Sequence, residues 1–365
     1  MSIRWLSILA AAPLAVLVAG CPEETEDPPP KSALEPPPAG QGFQFGTGEQ
    51  PVGPGEEVQN CFFFKVKDLM ASGKVEGATF NLNRVTMHQA EGSHHMNIFR
   101  VRTIVPHAEG GMDPAQGEYR DKGGTGPCFK STNWADWPLV ANTQIDGQLD
   151  WQFPEGVANK LDPEEYLMVQ SHFVNASTQQ TPSGTGEVFI NFWHLPDSDV
   201  VHEMGTLFAT KQSIRVCQSN PNPEYAGSCQ VATAGEPVTV VGANAHFHSR
   251  GKQFEMFNWD GVSTTEPAEA PFYVSDAWEE PPMAIGSSLA TIQPNGGVFY
   301  TCSYQWVEPP PEIGCAGLNE FDKTVKMTPD EQLDCCYTFG GVVDKNEHCN
   351  IFVYYYPKSE NVFCN

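Results

Sequence analysis

The sequence predicts an all-β protein, a sandwich or barrel of many short antiparallel strands. Three observations carry that prediction. The 365 residues include 33 glycines and 31 prolines, which interrupt regular structure often. The 22 Phe, 10 Tyr and 8 Trp fall largely in short runs with β-branched residues, bounded by Gly, Pro, Asn or Asp. Helical periodicity is weak throughout, with a single turn expected at 328–333. Charged residues are 18% and hydrophobic ones 40%, a globular balance rather than a disordered one. Acids outnumber bases 45 to 20, for a formal charge of −25. A nucleic-acid binder needs a basic footprint, so no nucleic-acid partner is expected.

Residues 1–20 hold one early positive charge, Arg4, followed by an apolar run. The run is too short for a spanning anchor and reads as a signal peptide. It ends Leu17-Val18-Ala19-Gly20-Cys21, which resembles a bacterial lipobox. That resemblance implies cleavage before Cys21 and its lipidation. The expected product is an exported lipoprotein, periplasmic or at the cell surface, that meets a membrane only through its anchor. Residues 21–55 follow, with prolines at 28–30 and 36–38. Proline stiffens such a stretch into an extended tether.

The strands expected next are 61–66, 79–87, 96–105 and 166–174, then 187–193, 237–242, 254–259, 298–304 and 350–356. A boundary near Leu195-Pro196-Asp197-Ser198 divides them into two similar sandwiches, 56–198 and 199–365. Ten cysteines remain after Cys21, an even number that allows five disulfides in an oxidising compartment. Spacing leaves the pairing open, and no CxxC pair points to a thiolate metal site.

The histidines carry the chemistry, because neutral imidazole is the commonest ligand for copper and zinc. His246 and His248 flank Phe247; in a strand, positions i and i+2 share a face, so both can reach one ion. His94 and His95 are adjacent and point to opposite faces unless a bulge intervenes, which Gly92-Ser93 could permit.

Four segments together resemble a family. Ser93-His94-His95-Met96-Asn97-Ile98-Phe99 is similar to the HHM-x-x-F segment of the copper type II, ascorbate-dependent monooxygenases. Leu167-Met168-Val169-Gln170-Ser171-His172-Phe173 resembles their Q-x-H-[YF] strand. Ala245-His246-Phe247-His248-Ser249-Arg250-Gly251-Lys252 resembles HxH-x-x-G-[KR], and Glu347-His348-Cys349-Asn350 through Tyr354-Tyr355-Tyr356-Pro357 resembles E-M-C-N…Y-Y-P. The four occur in the family's order and at similar spacing. The resemblance implies two tandem jelly-roll-like antiparallel β-sandwich domains with one copper each, facing one another across a solvent-filled cleft. It gives His94, His95 and His172 to an electron-storing copper. It gives His246, His248 and residue 348 to the copper that binds O2 for hydroxylation of a C–H bond, with ascorbate or another reductant as co-substrate. It pairs Cys61 with Cys128, Cys302 with Cys349, and Cys364 with Cys217 or Cys229. Gln170 is expected to connect the sites through solvent, and His88 to stand behind a ligand.

Two departures from the family bear on function. His348 stands where the family has a Met, and an imidazole suits Cu(II) and Zn(II) as well as Cu(I). Asn244 and Phe352 stand where peptidylglycine-type enzymes hold a substrate carboxylate with Arg and Tyr. With Asn350 they are the expected substrate contacts, but a C-terminal glycine is then a poor substrate and the substrate stays open between small molecule and peptide. Two rival readings follow: a non-catalytic copper-handling lipoprotein, and a zinc hydrolase, which the absence of HExxH disfavours.

Overall fold

Strand formation follows the aromatic and β-branched runs, and alternation decides which face each buries. In Gly205–Thr210 every second residue is buried, the period-2 signature of a strand with one face on a core. Val238–His246 is buried almost without interruption, because it lies between two apolar layers. The computed structural model describes residues 34–90, 93–101, 117–122, 137–144, 147–175, 184–232, 235–319, 328, 330, 333–359 and 362–364, the side chains of Glu57, His94 and 117–122 excepted. The expected signal peptide, Cys21, His107, Cys128 and half of the turn at 328–333 lie outside these residues.

Residues 34–365 cluster as one compact unit whose sheets fall into two sets. In the first set, one sheet runs Gly42–Gly46, Val188–His194, Phe80–Gln89, Val157–Leu161 and His202–Glu203, with Gly147–Gln152 also on Phe80–Gln89. The other runs Gly117–Lys122, Glu57–Lys65, Tyr166–Val174, Ser93–Arg100 and Leu139–Thr143. Their facing side chains share one core; the Phe45 and Phe64 rings stack 4.9 Å apart across it. In the second set, Gly205–Thr210, Asn350–Tyr356, Val238–His246 and Ala284–Ile292 form one sheet. Tyr273–Ser275, Gly251–Trp259, Gly297–Tyr304, Glu224–Gln230 and Phe363–Cys364 form the other. The ladders are antiparallel apart from His202–Glu203 on Val157–Leu161 and Cys336–Phe339 on Asn346–Glu347. The chain is therefore an all-β, sandwich-like protein. Its one regular helix of two turns, among the described residues, is Val66–Gly73.

Two expected boundaries move. The tether does not extend to residue 55. Gly42–Gly46 pairs along Val188–His194, and Phe43 is fully buried against Phe80 and Phe192, because alternating phenylalanines beside glycine make an edge strand rather than a spacer. The division between the two sets falls at Met204, not at 198, since His202–Glu203 still pairs with the first set.

Four disulfides are described: Cys217–Cys336, Cys229–Cys364, Cys302–Cys349 and Cys315–Cys335. Cys61 is also disulfide-bonded. Such a framework belongs to an extracellular or periplasmic protein. No helix among the described residues is long and apolar enough to cross a membrane.

The two sets are joined by a packed seam. Val241 is the extra residue of a bulge in Val238–His246 and, with Phe352 and Tyr354, belongs to the first set's core. The Trp151 indole meets the Tyr354 ring edge-on at 4.5 Å and covers Gly242, where a Cβ would lie 2.8 Å from its Cζ2. Gly242→Ala should cost about 1–3 kcal/mol by overpacking this seam. An unchanged midpoint in urea unfolding would show that the seam has slack.

Candidate metal centre

Five buried imidazoles line one cavity of about 160 Å³ at the seam. The first set supplies His95 and His172, the second His246, His248 and His348. The remaining lining is Gln59, Asn97, Gln170, Asn350, Phe339, Phe352 and Gly341, with no Arg, Lys, Asp or Glu among the described residues.

His172 and His95 are cross-strand partners in Tyr166–Val174 and Ser93–Arg100. One step later the ladder pairs Phe173 with Ser93, so His94 is the extra residue of a bulge, the irregularity that adjacent histidines need to serve one site. The side chain of His94 lies outside the described atoms. The Nδ1 atoms of His95 and His172 are 3.4 Å apart. That exceeds an ordinary N–H hydrogen bond. It matches two nitrogens on one ion, since bonds of about 2.0–2.1 Å at a tetrahedral angle separate their donors by about 3.3 Å.

His246, His248 and His348 place one donor atom each within 4.8 Å of one another. Two of the rings, His246 and His248, are held from behind by an acceptor. The His248 Nδ1 is 2.9 Å from the Asn346 carbonyl, which can only accept, so Nδ1 carries the proton and Nε2 the lone pair. The His246 Nδ1 is 2.6 Å from Gln144 Oε1. The other end of that carboxamide faces the Ala245 carbonyl and must be the NH2, which fixes the oxygen toward His246. His348 is buried, packs on Phe339 at 4.9 Å between ring centres, and has its Nδ1 3.4 Å from the Asn350 carboxamide. Neutral imidazoles with outer nitrogens engaged by protein groups are the donor set of a Cu or Zn site. The residues present fit such an ion. A second cluster, Cys217, Asp334 and Cys336, offers no thiolate, because its cysteines are bonded to each other.

Glu347 holds this trio's backbone together. Its Oε2 accepts from the His248 amide and its Oε1 from the Arg250 amide, both at 2.9 Å. The turn after His246 is thereby tied to the residue before His348. Arg250 completes the clamp, with its guanidinium 3.7 Å from Glu347, 3.9 Å from the Tyr337 ring centre, and donating to the Val343 and Asp344 carbonyls. Burial pushes the Glu347 carboxyl up to about 7, against the opposing pull of the two amides and Arg250. Gly251 closes the turn; a Cβ there would sit 1.8 Å from Phe247 Cδ2, so the Gly of the HxH-x-x-G pattern makes room for the ring between the two histidines.

His95 and the second trio do not stand apart across an open cleft. The His95 and His246 ring centres are 5.0 Å apart, because the seam brings the sheets into contact. Gln170 lines the cavity and accepts from Asn97 Nδ2, while Asn350 and Phe352 line it from the other side. Asn244 is no substrate contact: it is fully buried, accepts from Asn142 and Gln144, and donates to the Pro281 and Pro282 carbonyls. His88 lies on Phe80–Gln89, in the sheet opposite, and is not in the cavity lining. His194 accepts from the Asn81 amide, and exposed His202 packs on Tyr356.

Comparison with known proteins finds no matching family model and no matching curated protein. Among solved structures, PNGase F, a glycosylasparaginase from Flavobacterium meningosepticum, aligns over 88% of this chain and 99% of its own, at 8% identity and a TM-score of 0.29. That score is too low to carry any assignment.

Glu347→Gln leaves one backbone amide facing an NH2 group. It should cost about 1–3 kcal/mol of stability in urea unfolding. A loss below a few tenths would mean the clamp does not hold the turn.

Proposed function

We propose that this chain binds copper at two positions on one cavity and works as a copper-dependent monooxygenase. The reaction is hydroxylation of a C–H bond with O2 and an external reductant. The observation that carries this reading is the convergence of His246, His248 and His348, all buried, with two of their outer nitrogens bonded to oxygen acceptors. Bound copper supplies one-electron redox change and O2 binding.

The chain's own residues do the rest. Gln144 and the Asn346 carbonyl fix the tautomers of the His246 and His248 rings, and Glu347 holds the backbone of the turn that carries His248. His94, His95 and His172 would hold the second ion, whose role would be to store an electron; the His95 and His246 rings lie 5.0 Å apart. Among the described residues the lining facing Asn350 and Phe352 holds no cation, which favours a substrate that presents a neutral group there. Cys21 is the lipid attachment, holding the folded body at a membrane surface, periplasmic or on the cell exterior.

The all-imidazole trio also favours a second reading, copper handling without turnover, because the soft thioether donor is missing. Protein isolated without added metal and then loaded anaerobically should take up two copper ions per chain. With ascorbate or another reductant and candidate C–H substrates it should consume O2 in step with product. His246→Ala should abolish that uptake. Copper loading with no substrate-dependent uptake would leave only copper handling, and zinc in the protein as isolated would overturn both. His348→Met should change turnover in an oxygenase, but only Cu(I) affinity in a copper store.

A further inference from the structure

Gln144 belongs to the first set of sheets but holds a ligand of the second. It follows directly on Leu139–Thr143, whose Thr143 pairs with Met96; one step on in the antiparallel register brings Gln144 level with His95. Its side chain, 2% exposed, crosses the seam. Oε1 accepts from His246 Nδ1 at 2.6 Å, while Nε2 donates to Asn244 Oδ1 and the Ala245 carbonyl. One carboxamide therefore serves two purposes through opposite ends. The NH2 end docks on the backbone and side chain just before the HxH turn. The oxygen end fixes the tautomer of a ligand and turns its ring. Neighbouring Asn142 shares only the first purpose: it donates to Asn244 and accepts from the Tyr354 hydroxyl, with no imidazole in reach of those bonds.

We propose that Gln144 is a positioning residue for the metal at His246, His248 and His348, so that this site is completed only when the first set of sheets is docked. The proposal rests on the copper reading above. An acceptor behind a ligating imidazole raises its basicity and holds its orientation, and loss of such a partner costs about 10- to 100-fold in metal affinity.

The test compares Gln144→Leu, Gln144→Glu and Asn142→Ala in the full-length protein, by competitive Cu(I) titration and by the Cu(II) EPR signal. Gln144→Leu should bind the second copper about 10- to 100-fold more weakly and change its hyperfine splitting. Gln144→Glu keeps an acceptor for His246 but loses the docking donor, so it should hold affinity within a few-fold of wild type while melting earlier. Asn142→Ala should melt earlier with affinity and EPR signal unchanged. Equal affinities for Gln144→Leu and wild type overturn the proposal, as does a loss in Asn142→Ala matching that in Gln144→Leu. If Gln144→Leu does not fold, nitrogen NMR of the copper-free wild type decides: His246 protonated at Nδ1 supports the role, and protonation at Nε2 overturns it. Wild-type protein that takes up no copper at these histidines removes the copper reading itself, and this inference with it.

Discussion

A buried carboxylate organises the second trio. Glu347 has no exposure, yet it accepts from two backbone amides of the turn that follows His246 and lies beside the Arg250 guanidinium. Burying a charge is costly unless it is paired and hydrogen-bonded. Here the partners are the backbone groups whose positions determine where His248 goes. The same residue precedes His348 in the chain, so one side chain sets the spacing between two ligands that are a hundred residues apart in sequence. Gly251 and Phe247 shape the turn so that the clamp can close.

The second organising feature is the seam. Strand Val238–His246 is buried on both faces because one side packs in its own core and a bulged Val241 packs in the other. Its last residue, His246, thus emerges at the junction, within ring contact of His95. The cavity is a product of how the halves meet rather than of either half alone.

Legibility in the sequence tracked locality. Strands rich in aromatics stood out, because they follow from the period of a single extended segment; the HxH spacing stood out too, but His246 ends its strand and His248 lies in the turn beyond it. Ala284–Ile292 did not: its small and polar residues carry no strand signal, and pairing along Val238–His246 supplies what propensity lacks. His348 was found through its place in an ordered set of segments, and its burial against Phe339 could not be read from Glu-His-Cys-Asn alone. Gln144 left no mark, being one amide in the polar run Asn142-Thr143-Gln144, and its role exists only across the seam. Asn244 is equally illegible as a buried structural amide, since the partners that occupy it come from distant stretches of chain.

The backbone at His348 is fastened on both sides. The Tyr304 hydroxyl donates to its carbonyl, and the next residue, Cys349, is bonded to Cys302 while its own carbonyl receives the Lys211 amide. None of these ties involves the imidazole. The backbone of residue 348 is therefore held independently of its side chain, so a donor of different softness that also packs on Phe339 could be exchanged there with the main chain kept in place. Evolution could retune such a centre one side chain at a time, with the scaffold acting as a fixed mount.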